Sequence, residues 1–204
     1  VHPGRPATKE PCAWVTGVHL MLHVLVACEF SGIVRDAFIR EGHWAVSCDF
    51  LPTEQSGPHM ERDVLSVLDA GWDLMIAHPP CTYLAVSGAR WWKGREGEQA
   101  EAIQFVLDLA GACIPRIAIE NPIGCLSTQW RKPDEIIQPW WFGEPEVKAT
   151  CLWLKGLPPL KSTNVVDGRH PRVHHAGPSP DRWKVRSRTL PGVAAAMAKQ
   201  WGYI

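Results

Sequence analysis

The chain has 204 residues, 46% of them hydrophobic, with 21 basic and 21 acidic side chains and so no formal net charge. That is apolar material enough for one globular domain with a full core; the charge balance excludes the overall basic excess of strong nucleic-acid binders and leaves a local basic patch as the route to phosphates. No apolar run approaches the roughly eighteen residues needed to span a bilayer, and seven cysteines without paired spacing make no disulfide framework, so a reduced, cytoplasmic setting is expected.

Val1 to Leu20 carries three prolines and no periodicity, so residues 1–20 are read as an extension outside the fold, with Met21 as the natural start. Leu22 to Glu29 is an apolar, β-branched run that predicts a strand. Ile33 to Gly42 predicts a helix, with Ile33, Val34, Ala37 and Phe38 at helical spacing and a closing glycine. Trp44 to Asp49 reads as a second strand ending in an acid, followed by a loop over 51–60. Asp63 opens a short helical stretch to Leu68, and Leu74 to Ala77 is a third strand. Glu96 to Ala112 predicts an amphipathic helix, and Ile117 to Ile119 a fourth strand. Strands alternating with helices at this spacing imply βαβ units, hence an α/β domain with a mainly parallel sheet.

The remainder changes character. Thr150 to Leu154 reads as a strand, 161–182 as a surface loop rich in Pro, Gly, His, Ser and Arg, and Thr189 to Trp201 as a segment ending in a helix that starts at Pro191. Residues of about 123–190 form a small C-terminal appendage to a single domain of 21–204. Eleven tryptophans, with adjacent pairs at Trp91-Trp92 and Trp140-Trp141, serve packing or, alternatively, stacking on bases or a partner.

The chemistry concentrates at two strand tips. After Leu74-Met-Ile-Ala77, His78-Pro79-Pro80 breaks the ladder and presents Cys81 at the carboxyl end of the strand, the edge at which open α/β sheets bind ligands. Cys81 is there as a nucleophile or as a small buried hydrophobe. Glu120 ends the next apolar run, where an acid is costly to bury without a partner. The first βα turn, Phe30-Ser31-Gly32, lets a backbone approach a ligand or simply turns the chain. Asp49 is positioned for ribose hydroxyls or caps a loop, and Asp63 is a second acid with helix capping as its alternative.

Taken in order, these residues resemble the motifs of DNA cytosine-5 methyltransferases, of the short bacteriophage and prophage kind that lacks a large target-recognition region. The resemblance runs from about Leu22 to Pro122. Phe30-Ser31-Gly32 is similar to the family's first cofactor motif, Asp49 to its ribose acid, and Asp63-Val64 to the acid-aliphatic pair around adenine. Pro80-Cys81, with Ser87-Gly88, resembles the catalytic loop, and Glu120-Asn121 the glutamate motif, with Pro122 where valine is usual. Lys148 is the nearest substitute for the family's Gln-x-Arg-x-Arg segment, with Arg186 and Arg188 as rivals, and Pro191-Gly192-Val193 stands in place of Asn-Ser-Val.

The resemblance implies a Rossmann-like fold with helices on both sheet faces, S-adenosylmethionine as cofactor, and DNA, single-stranded or a short target included, as substrate. Phe30, Ser31, Gly32, Asp49, Asp63, Val64 and Pro80 would line the cofactor; Ser87, Asn121, Lys148, Arg186 and Arg188 would meet the substrate. Cys81 would attack cytosine carbon 6 while Glu120, with a pKa expected to be raised at its dry strand tip, steadies ring nitrogen 3. A cysteine after Pro79-Pro80, where amine-directed methyltransferases carry an aromatic residue, favours methylation at carbon. The rivals are the same chemistry on a free cytidine nucleotide, and a non-catalytic protein that binds nucleic acid or cofactor. His170, His174, His175 and Cys151 fit no zinc spacing, so no metal is expected. Arg172, His174, His175, Arg182, Lys184, Arg186 and Arg188 form a basic stretch suited to phosphates or to solvent.

Overall fold

The computed structural model describes residues 20–203 except 174, 176 and 178; residues 1–19, which make up most of the expected extension, and His174 lie outside the described residues. In chain order the elements are β1 (His23–Ala27), α1 (Ile33–Arg40), β2 (Trp44–Asp49), β3 (His59–Glu61), β4 (Leu74–Ala77), α2 (Glu96–Gly111), β5 (Arg116–Pro122), α3 (Leu126–Gln129), β6 (Glu135–Ile137), β7 (Thr150–Lys155), α4 (Arg182–Ser187) and α5 (Pro191–Trp201). Short 3-10 turns cover Val64–Val67, Val86–Trp91 and Pro139–Trp141.

The seven strands form one sheet in the order β3-β2-β1-β4-β5-β7-β6. Pairing is parallel from β3 through β5, while β7 runs antiparallel to both β5 and β6. Side chains alternate across the pleat, and β1 shows why the sheet needs two covers: Val24 and Val26 join one core, Leu25 and Ala27 the other, all fully buried. α1 and α5 close the first face through Val34, Phe38, Met197 and Trp201. α2 closes the second through Val106 and Leu109. The expected Rossmann-like α/β fold, mainly parallel with helices on both faces, is the fold observed.

Several details differ from the sequence reading. β1 stops at Ala27 because Cys28 adopts a left-handed conformation (φ 57°), which turns Glu29 out of the strand and towards α1. β3 and β6 were not expected; each is three residues long, too short to show a period of two, and exists by pairing with β2 or β7. β6 and β7 fall within 123–190, so that stretch supplies two strands of the sheet. α4 begins where the basic surface loop was expected to end.

Candidate active site

Four carboxyl-end features of the sheet meet around Cys81. His78 N–H donates to Ala27 O (2.9 Å), extending the β4–β1 ladder by one step before the prolines stop it. Asn121 Nδ2 donates to Pro79 O (2.8 Å), tying the Pro-Pro segment to β5. The amides of Leu84 and Ala85 both close on Cys81 O, at 3.0 and 2.9 Å, so the cysteine heads a tight turn. That turn lies backbone to backbone on the segment after β5: Val86 N–H donates to Ile123 O and Cys125 N–H to Leu84 O, each at 2.9 Å. Gly124 permits the approach, since any Cβ there would collide with the Leu84 carbonyl.

Glu120 stands beside this turn. Ala77 pairs with Ile119 in the parallel β4–β5 ladder, so the next residues, His78 and Glu120, are neighbours across the strands. His78 Nδ1 lies 3.2 Å from Glu120 Oε2, with side-chain exposures of 7% and 13%. Lys148 and Thr150, at the start of β7, line the same crevice of about 290 Å³, together with Thr189, Leu190 and Val193 from the start of α5.

The electrostatics couple the two groups. Burial of the Cys81 thiol and then the Glu120 charge push its pKa up, while Lys148 and Arg186 act in the opposite direction. For Glu120, burial alone would raise the pKa, but the His78 hydrogen bond, the Lys148 charge and the Thr150 hydroxyl outweigh it, and the carboxyl is held below its ordinary value. The expectation of a raised pKa is thus overturned: the position, inside β5 rather than at its tip, is dry but not short of donors.

The residues expected to line a cofactor follow the carboxyl ends of four strands: Phe30–Gly32 after β1, Asp49 at the end of β2, Asp63 and Val64 after β3, and Pro80 after β4. The Glu29 carboxylate accepts from Val34 N–H (2.7 Å), Arg35 N–H (3.3 Å) and Ser31 Oγ–H (3.0 Å), so α1 begins on its own internal cap. Ser31 is buried and also accepts from Ile33 N–H (3.3 Å), which leaves it a structural member of that cap. Gly32 has φ 74°, and a Cβ there would stand 2.5 Å from Nη2 of the buried Arg35. Asp49 is half-buried; burial raises its carboxyl, and Oδ1 accepts from Leu51 N–H (3.0 Å). Asp63 is exposed and caps the Val64–Val67 turn through Leu65 N–H (3.0 Å), with Val64 buried behind it. Pro80 is exposed at the bend.

The C-terminal basic residues lie across both halves of this region. Trp183 of α4 packs on Phe30, ring centroids 5.6 Å apart. Lys148 Nζ donates to Arg188 O (3.1 Å), and Arg186 is half-buried near the Cys81 thiol. Arg188, expected to meet substrate, places its guanidinium on Glu54. Ser87 is exposed on the 3-10 turn after Cys81. Sequence reasoning missed His78 and Glu29, though each is the first polar residue after an apolar strand, one register step from an assigned neighbour. Among the described residues, no group of three or more His, Cys, Asp or Glu could hold a metal ion, and no helix is long and apolar enough to cross a membrane.

No family model matches the chain, and no curated protein does. Among solved structures it is similar to the S. pombe Dnmt2 methyltransferase, at 14% identity and a TM-score of 0.48, over 76% of this chain and 54% of that one. The chain therefore spans about half the length of that neighbour.

Proposed function

We propose that this chain is an S-adenosylmethionine-dependent methyltransferase acting on carbon 5 of cytosine in DNA, with Cys81 as nucleophile and Glu120 as the group facing ring nitrogen 3. The observation that carries this reading is the shared site itself: a half-buried thiol in the turn after β4 and a largely buried carboxylate on the neighbouring β5, each within the field of Lys148. Both groups are displaced from their ordinary pKa values at one sheet edge, the thiol upwards and the carboxyl downwards, and such perturbed titratable groups cluster at functional sites.

The residues at the carboxyl ends of β1, β2 and β3 fit the cofactor by the chemistry of their donor set. Asp49 offers a half-buried carboxylate to a ribose diol, Val64 an apolar wall, and the Phe30–Gly32 turn a close backbone approach. Asp63 stands at the rim, its Oδ1 taken by a cap. When bound, S-adenosylmethionine supplies an electrophilic methyl group.

The chain's own residues prepare the other reactant. Lys148 and Arg186 favour the Cys81 thiolate against burial and Glu120. The sulfur attacks cytosine carbon 6, forming an S–C bond and making carbon 5 enamine-like. Glu120 steadies nitrogen 3 as charge moves onto the ring. After methyl transfer, loss of the carbon 5 proton lets the S–C bond break and frees Cys81. In a duplex the base must first be flipped out of the stack.

The test is trapping on an oligonucleotide carrying 5-fluorocytosine, with S-adenosylmethionine, read by intact mass. Fluorine cannot leave as a proton does, so an adduct carrying one methyl group accumulates, and Cys81→Ser does not form it. Failure across single- and double-stranded oligonucleotides, with success on 5-fluoro-dCMP, would move the substrate to a free cytidine nucleotide. Failure on both overturns the reading.

A further inference from the structure

The ionised state of Glu120 raises a question of proton supply. Ring nitrogen 3 of neutral cytosine is an acceptor, and a carboxylate facing it has nothing to donate. Nitrogen 3 takes up a proton as carbon 6 is attacked, and His78, 3.2 Å from Glu120, is placed to supply it. His78 follows the last residue of β4, and its Nδ1 lies 3.2 Å from Glu120 Oε2. The other ring nitrogen, Nε2, is buried without a hydrogen-bond partner. With Nδ1–H donating to the carboxylate, Nε2 is a bare lone pair, the kind of unmet buried acceptor that native structures seldom keep without a use.

We propose that His78 is a positioning residue that orients Glu120 through Nδ1–H and supplies, through the same bond, the proton that cytosine nitrogen 3 takes up. The proposal rests on the reading of Cys81 and Glu120 above. The second ring proton enters at Nε2, making an imidazolium–carboxylate pair. As the Cys81 thiolate forms its bond to carbon 6, the Nδ1 proton passes through the Glu120 carboxyl to nitrogen 3. Glu120 ends as it began, and His78 is left neutral with its one proton on Nε2. When the S–C bond breaks, nitrogen 3 returns the proton by the same path. Apart from His78 itself, the ionisable groups acting on Glu120 are Lys148 ahead of β7, Cys81 from the β4 turn and Cys151 on β7.

The first arm needs neither substrate nor cofactor. Imidazole 15N shifts of the free protein, with His78 assigned by its loss in His78→Asn, are followed from pH 5 to 9. Nδ1 stays protonated throughout and Nε2 is the nitrogen that gains and loses the proton; a ring that titrates at Nδ1, or not at all, overturns the proposal. The second arm compares initial rates. His78→Asn keeps an N–H donor for Glu120 but no second nitrogen, and should be about 100-fold slower, at the lower end of general-acid effects. It should also lose the decline in rate on the alkaline side of the wild-type profile, which a purely structural residue would not move. His78→Leu should fall further, with melting temperature and cofactor binding by calorimetry as folding controls. A wild-type rate and profile in His78→Asn overturns the role of His78 alone. If the wild-type protein traps no 5-fluorocytosine substrate, the Cys81 reading fails and the proton path with it, whatever the 15N titration reports of the pairing.

Discussion

Arg188 grips Glu54 through two parallel hydrogen bonds, Nε to Oε2 at 2.8 Å and Nη2 to Oε1 at 2.7 Å, and so fastens the end of α4 to the loop after β2. A basic residue that reads in sequence as a phosphate contact is already spoken for, and it holds Trp183 over Phe30 and Arg186 near Cys81. Both partners are about a third exposed, so Glu54→Ala should cost no more than about 0.5–1 kcal/mol of stability. The larger effect should be local: faster proteolytic cleavage within 182–188, and a several-fold change in S-adenosylmethionine affinity by calorimetry. Unchanged cleavage and affinity would show that the pair does not hold α4 in place.

Gly124→Ala tests the seat of the nucleophile. The new methyl group meets the Leu84 carbonyl, a backbone atom that cannot swing aside, so the Cys81 turn must shift. We expect a stability loss of about 1–3 kcal/mol by urea denaturation, and trapping on 5-fluorocytosine reduced at least tenfold. Gly111→Ala, at the end of α2, is the control, because nothing lies within 4 Å of its Cβ position.

The pH dependence of stability should carry the mark of Glu120. Its folded pKa lies below the ordinary 4.5, so the native state favours the charged form. The resulting stabilisation is fully present above that value and is lost as pH falls through the folded titration. Urea midpoints measured between pH 3 and 7 should therefore fall more steeply for the wild-type protein than for Glu120→Gln. Parallel curves would mean that the His78, Lys148 and Thr150 contacts do not bias the carboxyl.

Asp49 has the opposite sign. Burial raises its carboxyl above 3.8, so the charged form costs stability at neutral pH, a cost relieved as pH falls through the folded value. Asp49→Asn keeps an oxygen for Leu51 N–H and removes that cost. The free protein should melt higher at pH 7, by about 2–4 °C for each kcal/mol relieved, while S-adenosylmethionine binding weakens. A variant that binds the cofactor as well as wild type would remove Asp49 from the site.

Local pattern was enough for β2, β4, α2 and α5, because each carries its own periodicity or a clear stop: an acid after Cys48, two prolines after His78, Pro191 at a helix start. The same pattern placed Cys81 in the turn after β4, but it ended the next strand too early: β5 runs on to Pro122, and Glu120 stands one residue past the parallel β4–β5 ladder yet inside the antiparallel pairing with β7. What it could not set was which strands are neighbours. The order β2-β1-β4-β5-β7 exists only once the sheet is assembled, and it brings His78 against Glu120 and Lys148 into the same crevice. Protonation followed from that assembly: an isolated buried glutamate favours its neutral form, yet the donors on β4 and β7 keep this one charged. Three-residue strands, the antiparallel course of β7 and the engagement of Arg188 by Glu54 depend on partners far along the chain, and a contact between distant residues leaves no period in the residues that make it.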